Sequence, residues 1–237
     1  MSTTPLLFLP GLLCDEHLWH HQLRYFGSRY ACQVASLTQD DNVAAMARRA
    51  LQSAPERFAL IALSMGGYVA FEMLRQAPER ISHLVLLSTS AGSDSPRRRQ
   101  DRLAGISMLQ QGRFAGVTSR LLPQLVHPSR VAESVATDVQ LMAQRVGGEA
   151  YLRQQQAILD RPDSMQTLAS IQVPTLIAVG DHDVLTPPAE SHAMQRAIPQ
   201  AALHIFERCG HLPPLEMPDQ VNQLLEQWLL AGLPAGQ

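Results

Sequence analysis

Short apolar runs, most of them closed by glycine, serine or proline, punctuate this chain and are separated by longer stretches in which apolar residues recur at helical spacing. The runs at Leu6–Leu9, Cys32–Ala35, Ala59–Leu63, His83–Ser88, Thr175–Val179 and Ala202–Phe206 are too short for buried helices, so they predict strands. Continuous rather than alternating apolar character is what a strand shows when both faces of its sheet are covered. Strands alternating with helical segments then predict an α/β fold with a parallel sheet and helices on both faces. The rhythm breaks between about Ala91 and Ser170. There the chain is rich in arginine and glutamine, with helical patterns at Leu103, Ile106 and Leu109, at Val131, Val135, Val139 and Met142, and at Leu152, Ile158 and Leu159. This predicts a sheet-bearing core over 1–91 and 171–237 and an all-helical cap inserted over 92–170.

An open parallel sheet binds ligands at the carboxyl ends of its strands, so chemistry is expected just after the apolar runs. Three places qualify. Ser64 follows Ala59–Leu63 within Ala62-Leu63-Ser64-Met65-Gly66, a variant of the G-x-S-x-G elbow with alanine for the first glycine. Gly180-Asp181-His182-Asp183 follows the Thr175 run, and Cys209-Gly210-His211 follows the last. A serine hydroxyl becomes a nucleophile when an imidazole takes its proton, and the imidazole needs a carboxylate to fix its tautomer. His211 outranks His182, His192 and His204, because a strand-end loop can present a ring to the serine, whereas His204 lies inside a strand. The alternative for Ser64 is a helix cap. A developing oxyanion needs two backbone N–H donors, one following the nucleophile and one from the loop after the first strand, which points to Met65 and Leu12.

These motifs resemble the α/β-hydrolase superfamily, in its branch of small capped serine esterases and lactonases. The resemblance rests on Leu9-Pro10-Gly11, the Ser64-Met65-Gly66-Gly67 elbow, the Gly-x-x-Asp-x-x-x-Pro element from Gly180 to Pro187, and Gly210-His211 followed by Glu216-x-Pro218. It implies Ser64 as nucleophile, Asp183 as acid, His211 as base, and the Leu12 and Met65 amides as the oxyanion hole. Asp181 competes with Asp183, and the spacing to Pro187 favours Asp183. Relatives commonly carry His-Gly where this chain has Pro10-Gly11. The N-terminal hairpin of larger relatives is not expected, which leaves about six parallel strands. The implied activity is hydrolysis of a small carboxylic ester, lactone or thioester through an acyl-enzyme. Carbon–carbon bond hydrolysis, perhydrolysis and slow-turnover reception of a small molecule are the alternatives on the same scaffold.

Composition narrows this further. The chain has 237 residues, 46% hydrophobic, with a formal net charge of -2, which offers no pull toward nucleic acid or an anionic membrane. All 19 basic residues are arginine, which removes Schiff-base and pyridoxal-type chemistry; no cofactor of another kind is expected for the acyl transfer that the resemblance implies. Cys14, Cys32 and Cys209 form no CxxC pair, which favours a reducing cytoplasm over a disulfide framework. No uncharged apolar run reaches the roughly 18 to 20 residues that span a bilayer. Neither His20-His21 nor Asp181-His182-Asp183 offers a full ligand set with metal spacing, so no metal is expected. Arg97, Arg98, Arg99 and Arg102 crowd positive charge at the start of a helix in the cap, against its dipole. They read as a solvated face eased by an Arg97–Asp101 pair, or as a contact for an anionic substrate or acyl carrier.

Overall fold

The computed structural model describes residues 4–231. Six parallel strands, β1 (Leu6–Leu9), β2 (Cys32–Val34), β3 (Phe58–Leu63), β4 (Ile81–Leu87), β5 (Thr175–Gly180) and β6 (Ala202–Phe206), form one sheet in the order β2-β1-β3-β4-β5-β6. The helices are α1 (His20–Phe26), α2 (Val43–Ser53), α3 (Met65–Gln76), α4 (Pro96–Gln110), α5 (Leu122–Leu125), α6 (Ser134–Leu159), α7 (Pro188–Ala197), α8 (Pro213–Glu216) and α9 (Pro218–Ala231). Every predicted strand is present. β4 begins two residues earlier than predicted, at Ile81, because the polar Ser82 is accommodated inside it, its Oγ donating to Phe58 O.

The two-residue period of a strand sorts the core onto two faces. Leu7, Leu9, Leu60, Ala62, Leu84 and Leu86 pack with α2, α3 and Met194 of α7. Leu6, Phe8, Ala59, Ile61, Leu63, Val85 and Leu87 pack with Leu18, Trp19, Phe26 and α9 residues Val221, Leu225 and Trp228. Both faces are therefore apolar, which explains why β1 and β3 are buried along their whole length. The edge strands β2 and β6 are only half covered.

Between β4 and β5 the described chain contains helices and turns but no strand. α6 breaks at Gly147, whose φ of 76° and ψ of 172° are non-helical. Its first half gives Val135, Ala136, Val139 and Met142 to one core face, and its second half gives Ala157 and Ile158 to the other. No described helix is long and apolar enough to cross a membrane. The strand order reverses at β1, whose neighbours are β2 and β3, and such a switch point opens a crevice at the carboxyl ends of β1 and β3.

Candidate active site

Ser64 occupies that crevice end of β3. Its backbone sits at φ 53°, ψ −115°, a conformation that costs a non-glycine residue on the order of 1–3 kcal/mol. The surroundings hold it there: Ser64 N donates to Leu87 O (3.0 Å), while Ser64 O accepts from Thr89 Oγ1 (2.7 Å) and Gly67 N (2.9 Å). The turn also needs close backbone approach. A Cβ on Gly66 would lie 2.5 Å from Leu9 O, so glycine alone lets α3 start against β1. The Ser64 side chain makes no capping bond to α3. Its Oγ instead lies 2.9 Å from His211 Nε2.

His211 Nδ1 lies 2.8 Å from Asp183 Oδ2, and both side chains are buried. An ionised carboxylate only accepts, so Nδ1 carries the proton and Nε2 is left to accept from the serine. Asp183 Oδ1 also accepts the Leu185 and Thr186 amides (2.9 Å each), and Oδ2 accepts Thr186 Oγ1 (2.8 Å). Burial alone would raise this carboxyl. The His211 ring and the donors from His211 and Thr186 outweigh it and hold Asp183 below the ordinary carboxylate range. Asp181 is exposed and faces elsewhere, toward His182 Nδ1 (2.6 Å) and Cys209 N (3.1 Å).

The loop carrying His211 is held from three sides. His211 N donates to Leu125 O (3.0 Å), while the buried Glu216 carboxylate accepts the amides of Gly210, Leu212 and His127. Gly180 permits the contact between the acid strand and this loop, since a Cβ there would lie 2.2 Å from Gly210 O. In the sequence Glu216 stands out only as part of the Glu216-x-Pro218 motif, and nothing marks Thr186 as a site residue. The spacing of Glu216 six residues past Gly210 was the available signal.

The loop after β1 lies against the serine: a Cβ on Gly11 would be 3.4 Å from Ser64 Cβ. Leu12 follows, and among the described residues neither its amide nor that of Met65 has an acceptor. Leu13 adopts φ 59°, and its N–H donates to Gln154 Oε1 of α6 (3.1 Å). Cys14 Sγ points to Leu12 O, and burial pushes its thiol up to about 12; burial raises Cys209 as well, so both remain protonated.

The four arginines do not form the open cluster that their sequence suggests. Arg98 bonds Leu185 O (2.6 Å) and Glu190 (2.8 Å), Arg99 bonds Leu159 O, and Arg102 bonds Asp94 (2.6 Å) and Gln155 (3.0 Å). Arg97 is exposed and does not pair with Asp101 among the described residues. The expected helix-face pairing gives way to carboxylates from other parts of the chain. Among the described residues no group of three or more His, Cys, Asp or Glu side chains is arranged to hold a metal ion.

Residues 27–218 match the family model described as the alpha/beta hydrolase fold. A pimeloyl-[acyl-carrier protein] methyl ester esterase of Nitrosomonas europaea is 29% identical over 201 residues, covering 82% of this chain and 77% of that protein. A putative carbamate hydrolase of Klebsiella pneumoniae is 30% identical over 210 residues, covering 85% and 78%. The solved structure of a thermophilic esterase from Thermogutta terrifontis superposes with a TM-score of 0.88 at 27% identity, over 98% of this chain and 92% of that one. By the extent of the family match and the fold that carries it, the chain belongs to the alpha/beta hydrolase fold family.

Proposed function

We propose that this protein is a serine hydrolase of small carboxylic esters, with lactones and thioesters in the same chemical range, working through an acyl-enzyme on Ser64. The observation that carries this reading is the unbroken path from Ser64 Oγ to His211 Nε2 (2.9 Å) and from His211 Nδ1 to Asp183 Oδ2 (2.8 Å). Ser64 Oγ attacks the carbonyl carbon as its proton passes to His211 Nε2. The tetrahedral oxyanion is met by the Leu12 and Met65 amides. Its collapse expels the alcohol or thiol, which takes the proton from His211 and leaves Ser64 acylated. Water then attacks the acyl carbon while giving a proton to His211, and the acid departs as Ser64 is restored. Asp183 stays ionised throughout and holds the imidazole in the required tautomer.

The kinship with an esterase and a carbamate hydrolase supports hydrolytic acyl transfer. Residues 1–91 and 171–237 act as the core, and residues 92–170 act as a helical cap that shapes the acyl site. Contact with an acyl carrier or an anionic substrate through the cap would fall to Arg97, because Arg98, Arg99 and Arg102 are engaged within the chain.

The test is a panel of p-nitrophenyl esters of increasing acyl length, small lactones and acyl thioesters, run beside a fluorophosphonate probe. Turnover with stoichiometric labelling of Ser64, and loss of both in Ser64→Ala, is the expected result. Labelling elsewhere with activity intact would overturn it.

A further inference from the structure

Gln154 is fully buried, on the second half of α6, far from Ser64 in sequence and with no bond to the triad. Its amide spans two loops of the core. Oε1 accepts the Leu13 N–H at 3.1 Å, and Nε2 donates to Leu37 O at 3.0 Å. Only this orientation of the amide satisfies both neighbours, since one offers a donor and the other an acceptor. The neighbouring Arg153 reinforces the anchorage, with Nε donating to Thr38 O. Leu13, in turn, holds a left-handed φ of 59° without being glycine, a conformation that persists only where its surroundings enforce it. That residue directly follows Leu12, and Gly11 before it lies against Ser64.

From this geometry we infer that Gln154 is a positioning residue for the oxyanion hole: it locks Leu13 and thereby aims the Leu12 N–H, so that the helical cap itself completes the hole. The inference rests on the serine-hydrolase reading above. The physical need is clear in this chain. Pro10 has no N–H with which to brace the loop, and the described bonds within it are the Cys14 N to Gly11 O turn and the Cys14 Sγ contact to Leu12 O. An oxyanion donor acts by being aimed before the reaction starts, so a loop free to rotate at Leu13 would forfeit its effect without losing substrate affinity.

The experiment compares Gln154→Met, which keeps length and apolar bulk but removes both polar atoms, with Gln155→Met. Gln155 is the adjacent buried glutamine, which bonds Arg102 and Tyr151 rather than the loop. Melting temperature, kcat and KM on p-nitrophenyl butyrate, and affinity for phenylboronic acid are measured. The boronic acid adds to a serine hydroxyl to give a tetrahedral anion that needs the same hole. Loss of one oxyanion donor costs on the order of 10²–10³ in kcat, so misaiming one predicts at least about a tenfold fall for Gln154→Met with KM within about twofold, and boronate affinity falling in step. Gln155→Met should lose melting temperature without this split. Wild-type kcat and boronate affinity in Gln154→Met, a rise in KM alone, or an equal kcat loss in Gln155→Met would overturn the inference. Ser64→Ala that still turned over would instead sink the reading beneath it, and the inference with it.

Discussion

Asp181 and Asp183 stand at the end of one strand, yet their carboxylates point into different chemistry. Asp183 is buried against His211, whereas Asp181 is exposed and ties the end of β5 to Cys209. Asp183→Asn is therefore expected to lower kcat by about 10⁴, the loss seen for the same change in a serine-protease triad, because an amide favours the wrong imidazole tautomer. Asp181→Asn should leave kcat within a few-fold of wild type. Steady-state kinetics on one ester decides between them, and an exchange of the two outcomes would make Asp181 the acid. The arginines pose a similar question. With Arg98 and Arg99 bonded inside the chain, joint replacement of Arg97, Arg98 and Arg99 by glutamine should lower the melting temperature and shift KM for acidic and neutral esters alike. A rise in KM confined to acidic esters would restore anion recognition. That Ser64, Asp183 and His211 would meet was legible in the sequence because each follows a predicted strand, in the order serine, aspartate, histidine. Gln154 could not: in a segment crowded with arginine and glutamine, nothing local distinguishes a buried amide from a solvated one. The arginine partners were hidden for the complementary reason, since Glu190 sits on α7 and only folding brings it near Arg98, while Asp94 lies in the loop before α4 rather than on the helix face where a pair was sought.

At the scale of elements, the site depends on how closely α3 meets β1. Gly66 has Leu9 O where a Cβ would go, and Leu9 is the last residue of a fully buried strand that cannot yield cheaply. Gly66→Ala should therefore push α3 outward, cost about 1–3 kcal/mol of stability as overpacking does, and lower kcat by displacing the Met65 amide. Gly92→Ala is the matched control, because its nearest neighbour would be Met165 Cγ at 4.0 Å, and it should be close to neutral on both counts. Thermal melts paired with kcat test this, and equal effects would remove the role given to the close approach. The strands themselves were legible because both sheet faces are covered, which leaves uninterrupted apolar runs. Their ends were less so: Ile81 and Ser82 fall outside the strand predicted from His83, because the polar, half-buried Ser82 looks like a loop residue from sequence alone. The break in α6 was likewise unread, although the Gly147-Gly148 pair marks it.

Across the whole molecule, the helical connection leaves and rejoins the core through one neck. Ser164 N donates to Ala91 O, Ser93 N donates to Asp163, and Asp94 receives Arg102 from α4 and Arg161 from beyond α6. Arg161 also donates to Gly92 O and stacks on Tyr68, four residues past Ser64, with its guanidinium 4.2 Å from the ring centroid. Asp94 thus fastens both ends of the connection beside the elbow helix. Burial would raise its carboxyl, but the Arg161 and Arg102 hydrogen bonds outweigh that and hold it below the ordinary value. The unfolded state then takes up the proton first as pH falls, so the contribution of Asp94 to stability is fully present above an unfolded pKa of ~3.9 and is lost as pH drops through the folded value. Asp94→Asn leaves two guanidinium groups without their carboxylate, and breaking a buried pair of this kind costs about 3 kcal/mol. Urea unfolding at pH 7 should show that deficit. Below the unfolded value of ~3.9 the wild-type advantage starts to shrink, and once pH has dropped through the lower folded value Asp94 is neutral in both states while the variant loses nothing further from this position, so the gap between the two proteins should close. A gap that stayed constant across the acid range would mean that the carboxylate contributes through shape rather than charge, and the neck would be held without its charge by the Ser164–Ala91, Ser93–Asp163 and Arg161–Gly92 bonds.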